Sequence, residues 1–151
     1  MDRGVAPRIN EQILARIYYM SKTVKSLAII DILFSFFYLS YSPYIGFLNL
    51  LNLILAYFGY FGAKNFDKNF TLGYLIYNSV KFVSSVVFPI IIFCIVSVPA
   101  GIIVMSVFLM LLNLYVLLFV SKFYNELNGL TKDDVNYLRL MNYVGIGLIL
   151  W

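Results

Sequence analysis

The chain of 151 residues has no histidine, one cysteine, four prolines and only 12% charged residues. Without histidine it lacks the commonest general base and the commonest metal ligand. Cys94 alone forms neither an intramolecular disulfide nor a thiolate metal cage. No nucleophile–base pair, paired carboxylates or metal-ligand set is spelled out either, so the expectation is a protein that is not an enzyme and carries no cofactor. Scarce charge excludes something further. With 62% apolar residues, 19% aromatic residues and a mean hydropathy of +0.89, there is too little polar surface to cover one water-soluble globule. The expected class is an all-α integral membrane protein whose first partner is the lipid bilayer. A net charge of +4 does not point to nucleic acid, because the basic residues lie beside apolar runs and form no stripe on a soluble fold.

Four apolar runs, at about 27–42, 46–63, 71–96 and 101–121, are each near the ~20 residues that cross a bilayer as helix. They are continuous rather than alternating, which excludes a strand barrel. The breaks Ser42-Pro43-Tyr44-Ile45-Gly46 and Ser97-Val98-Pro99-Ala100-Gly101 are short and uncharged, so four transmembrane helices in two antiparallel hairpins are expected. Five Lys and Arg precede the first run, two lie between the second and third, and three follow the fourth. That asymmetry places both termini on the cytoplasmic side. The Asn69-Phe70-Thr71 sequon then falls on the inside and is read as chance. The first strongly apolar run starts near Leu27, is longer than a signal core and has no A-x-A site, so no cleavable signal is expected.

Amphipathic helices are expected at both ends. Residues 1–26 form a cytoplasmic segment in which Ile9, Ile13, Ile17, Met20 and Val24 recur at helical spacing, with cations elsewhere around the helix. Asn10 is a candidate cap, and no Gly or Pro separates this segment from the run that opens the domain at 27–121. In the cytoplasmic segment 122–151, Asn128-Gly129 reads as a helix stop and Thr131 with Asp134 as a capping box. Val135, Leu138 and Met141 form one face of the helix that follows, and Trp151 is an expected interfacial anchor.

Each apolar run carries a stripe of polar or small residues: Asp31, Ser35, Tyr38 and Ser42; Asn49, Asn52, Ala56, Gly59 and Ala63; Asn78, Lys81 and Ser85; Ser106 and Asn113. Lipid rejects such faces, so they should converge between helices. Gly59-x-x-x-Ala63 is a small-residue pair of the kind that lets backbones approach closely. Asp31 and Lys81 are the two charges well inside apolar sequence. A lone charge at mid-bilayer costs at least about 2.5–3.5 kcal/mol, so they either pair or reach water, Lys81 by snorkelling. Pro89 should loosen its helix near Ser84 and Ser85, whose hydroxyls are placed to satisfy freed carbonyls. Tyr57, Tyr60, Tyr74 and Tyr77 read as an interfacial belt.

The order of two hairpins, both ends inside, and Phe61-Gly62-Ala63-Lys64 leaving the second helix resembles tetraspanins over residues 27–121. Their Cys-Cys-Gly motif and large extracellular loop have no counterpart here. The resemblance implies an architecture that organises partners in a membrane. The carboxylate in the first run also loosely resembles that of small multidrug transporters. The leading expectation is therefore a non-catalytic multi-pass protein, a structural or organising subunit that packs with other membrane proteins or with itself. The alternative is a small proton- or ion-coupled transporter, or a channel-forming oligomer, that uses Asp31.

Overall fold

A computed structural model describes the backbone of residues 11–41 and 46–148, with side chains over 12–37 and 50–142. Among the described residues the protein is all-α: α1 (Glu11–Tyr41), α2 (Gly46–Asn65), α3 (Lys68–Ile95), α4 (Ala100–Asn128) and α5 (Lys132–Leu148). Two of these helices, α3 and α4, are long and apolar enough to cross a bilayer.

α1 is one unbroken helix, as the absence of Gly and Pro allows. Its buried residues are Leu14, Ile17, Ser21, Val24, Ala28, Asp31 and Ser35, with Met20 beside them. That is a strict three–four alternation, so one seam faces neighbouring helices from the first turns to well inside the apolar run. Ile17, Met20 and Val24 thus pack against protein, in one core with Val120, Phe123 and Leu127 of α4 and Leu138 of α5. Ile13, expected on the same face, is exposed, and Leu14 takes its place. Ile9, Asn10 and Trp151 lie outside the described residues.

The α2–α3 turn explains how two long helices reverse within two residues. Phe66 sits at φ 52, the left-handed conformation that ends a helix, and the Asp67 N–H donates back to the Gly62 carbonyl at 2.9 Å. The Asp67 carboxylate then caps α3, accepting from the backbone N–H groups of Asn69 and Phe70. Gly62 belongs to the same corner, because a Cβ there would lie 2.7 Å from the Thr71 backbone nitrogen.

α5 closes this end of the molecule. Arg139 donates to the Asn65 carbonyl at 2.7 Å and Asn142 to that of Lys64 at 3.1 Å, so α5 satisfies acceptors that the end of α2 leaves open. The box that opens α5 is formed: the Thr131 N–H and hydroxyl both donate to Asp134 Oδ2, and the Asp134 N–H donates to Thr131 Oγ1. α4 stops at Asn128 as expected, but Gly129 caps it in a right-handed conformation, so no positive φ is used there. Leu138 is buried and Val135 packs on the core, whereas Met141 is exposed.

Among the described residues the core lies at one end of the bundle. Buried residues run over 14–35, 56–66, 71–78 and 116–138. From 79 to 115, the outer half of the α3–α4 hairpin, no described residue is buried, and Phe88, Ile91, Ile95, Val104 and Phe108 are all exposed.

Candidate functional site

At the outer edge of this core α1, α2 and α3 place three polar groups together. Asp31 continues the seam of α1 and is 7% exposed. Lys81 Nζ, on α3, donates to Asp31 Oδ1 at 2.5 Å, and the Tyr74 hydroxyl, two turns earlier on α3, donates to Asp31 Oδ2 at 2.8 Å. Both carboxylate oxygens are thus held by charge-assisted or buried hydrogen bonds. The Lys81 side chain is 35% exposed and lies 5.8 Å from the centroid of the Tyr77 ring, which stacks on Tyr74. Asn78 sits between these tyrosines and Lys81 in sequence, buried, and donates to the Tyr74 carbonyl within its own helix.

α2 makes the site possible by what it lacks. Tyr74 is fully buried with its ring over Gly59, where a Cβ would meet ring carbons at 2.5–2.7 Å. One turn along, the Ala63 carbonyl accepts from Ser21 Oγ of α1 at 2.8 Å. The small-residue pair Gly59 and Ala63 therefore serves two neighbours, α3 through Gly59 and α1 through Ala63, with Ala56 buried on the same face.

The remaining stripe residues do not join them. Asn52 and Asn113 are half-buried and their side chains make no hydrogen bond among the described residues; the side chains of Asn49, Tyr38 and Ser42 lie outside those described. Ser35, Ser85 and Ser106 each donate to a carbonyl three or four residues back in their own helix. They were expected as links between helices, but the local carbonyl lies within reach of any helical serine and wins. Ser85 donates to Phe82, not to a carbonyl freed by Pro89. Tyr74 and Tyr77 are core residues rather than belt residues, because Gly59 gives the Tyr74 ring a bare backbone to lie on; Tyr57 is exposed.

Sequence reasoning singled out Asp31 and Lys81 but missed Tyr74, although its spacing of seven from Lys81 was a usable signal for the same helix face. Chemically the cluster is a satisfied ion pair. Among the described residues no three His, Cys, Asp or Glu side chains gather to hold a metal ion.

Comparison of the chain with family models, curated proteins and solved structures gives no match.

Proposed function

We propose that the protein is a non-catalytic, multi-pass membrane protein that crosses the bilayer four times in two hairpins and acts as a structural or organising subunit. The observation that carries this reading is the outer half of the α3–α4 hairpin, where no described residue is buried and large apolar side chains such as Phe88, Ile91, Val104 and Phe108 are exposed. Such a surface is stable in lipid or against other membrane helices and not in water. The polar ends agree with it: Lys68 at the start of α3 donates to the Asn128 carbonyl at the end of α4, so the start of α3 and the end of α4 lie together on one side.

The engagement of both Asp31 oxygens favours a structural pair over a coupling carboxylate, which must exchange its proton with a path. Asn52 and Asn113, half-buried and without side-chain hydrogen bonds among the described residues, offer amides to a neighbouring membrane helix. The tetraspan arrangement with short basic cytoplasmic ends suits a protein that assembles with others or with itself.

Two experiments test the reading. Reporter tags at residue 2 and at the C-terminus should both be accessible from the cytoplasmic side, while sites inserted after Pro43 and Pro99 should be accessible from outside; termini on opposite sides would refute four spans. Purification in mild detergent should retain a stoichiometric membrane-protein partner or a defined homo-oligomer. If the purified chain alone moved protons or cations across liposomes, and Asp31→Asn stopped the movement, the transporter alternative would replace it.

A further inference from the structure

Lys22, Lys25 and Lys64 gather where α1 and α2 meet α5, and among the described residues no carboxylate pairs with them. Lys25 Nζ donates to Asn142 Oδ1 at 3.3 Å, and Asn142 in turn donates to the Lys64 backbone carbonyl, which ties Lys25 and Lys64 to one corner, with Lys22 one turn before Lys25 on α1. Among the described residues the ion pairs are Arg16–Glu126 and Lys81–Asp31, neither at this corner. The burial that Lys25 suffers there, with the charges of Lys22 and Lys64 beside it, pulls its pKa below the ordinary lysine range. Lys22 lies 4.8 Å from the centroid of the Tyr18 ring and Lys64 6.0 Å from that of Tyr60, so each ammonium is steadied at an aromatic face while remaining exposed.

Apolar surface continues outward from the lysines on both helices. On α1 the exposed residues Ile29, Leu33 and Phe37 continue outward from Lys22 at helical spacing, and on α2 Tyr57, Ile54 and Leu50 continue outward from Lys64. A free phosphate would use the cations and leave these stripes unoccupied. A phospholipid uses both, its phosphate at the lysines and its acyl chains along the two stripes.

We propose that Lys22, Lys25 and Lys64 form a binding site for the phosphate of an anionic glycerophospholipid, seated in the cytoplasmic leaflet with its chains against α1 and α2. The proposal rests on the membrane reading above and adds a defined lipid site to it.

The test uses the full chain reconstituted in phosphatidylcholine vesicles containing trace spin-labelled phosphatidic acid or spin-labelled phosphatidylcholine. Vesicle flotation reports insertion, and the motionally restricted fraction of each label reports lipid preference. The expected result is a preference for phosphatidic acid of at least about fivefold, the factor one lysine supplies near a lipid surface. In the Lys22→Gln, Lys64→Gln variant it should fall toward parity. The Lys22→Arg, Lys64→Arg variant should keep the preference, which separates loss of charge from loss of fold, and Lys122→Gln should keep it too. Excess inorganic phosphate should leave the preference unchanged; if phosphate abolished it, a soluble anion would be the occupant and the lipid site would be overturned. A chain that floats but restricts both labels equally overturns the site alone. A chain that does not float overturns the membrane reading and the site with it.

Discussion

The ring of Tyr74 lies on the bare backbone of Gly59, so close that a methyl group at 59 would sit 2.5 Å from the ring. The same ring carries the hydroxyl that holds Asp31 Oδ2. Gly59→Ala must therefore move the ring, and moving the ring withdraws a partner from a buried carboxylate. We expect a loss of about 1–3 kcal/mol, the usual cost of overpacking a tight core site. In the Tyr74→Leu background the added cost of Gly59→Ala should largely vanish. Thermal unfolding in detergent reads both, and a Gly59→Ala protein as stable as the parent would show that the ring lies elsewhere.

Asp31 and Lys81 should behave as a coupled pair. Removing one member of a fully buried pair costs about 3–5 kcal/mol; the Lys81 side chain is 35% exposed, so solvent relieves part of that, and about 1–3 kcal/mol is expected for Asp31→Asn. Adding Lys81→Met to Asp31→Asn should recover much of the loss, since an apolar replacement is often no worse than a buried pair. A double-mutant cycle with coupling below about 0.5 kcal/mol would mean that the two charges act independently. Tyr74→Phe should cost about 1–3 kcal/mol on its own, because it strips a hydrogen bond from a buried carboxylate.

Much of this was legible in the sequence because helix breaks and seams are local patterns. Pro99, Asn128-Gly129 and the Thr131–Asp134 box mark helix ends through backbone chemistry that acts within a few residues. The spacing of Ile17, Met20 and Val24 marks an apolar face, but spacing alone suits a helix lying in the membrane interface as well as one packed in the core, where these residues stand. The continuation of that face through Ala28, Asp31 and Ser35 was harder to see, because the period persists while the residue types turn small and polar. Tyr74 was misread because a tyrosine near a helix end looks the same whether it meets headgroups or a glycine on another helix. Which residue stands opposite is tertiary information, and no spacing within α3 contains it. The turn at Phe66 was equally hidden, since the left-handed region is rare for any side chain with a Cβ and a bulky ring there gives no sign in advance.

Stability should rise with pH over the range in which Lys25 loses its proton. Its pKa is lowered in the folded protein, first by burial and then by Lys22 and Lys64, so the unfolded chain holds the proton more tightly. Between the folded and unfolded pKa values the unfolded state binds more protons, and the slope of unfolding free energy with pH is positive. Below the folded value the charge on Lys25 works against folding. Lys25→Gln, which retains a side-chain amide near Asn142, should therefore stabilise the protein at pH 7. That advantage should shrink as pH is raised toward the ordinary lysine range. Melting temperatures of both proteins from pH 7 to 10 test this, and an advantage constant with pH would assign the effect to something other than charge.

Phe66 sets a backbone preference against a packing preference at one residue. Its φ of 52 favours glycine, while its side chain is almost fully buried in the core. Truncating a buried Phe costs about 3–5 kcal/mol, and a residue with a Cβ in the left-handed region carries about 1–2 kcal/mol that glycine does not. Packing is the larger effect, so Phe66→Gly should destabilise the protein, by about 2–4 kcal/mol. Phe66→Ala loses the same packing and keeps the backbone cost, so it should be the less stable of the two by about 1 kcal/mol. This is the reverse of the order expected inside a helix, where glycine is worse than alanine by a similar amount. The ranking therefore reads the turn directly: equal stability, or an alanine variant more stable than the glycine one, would mean that residue 66 continues α2 as ordinary helix and that the chain reverses elsewhere.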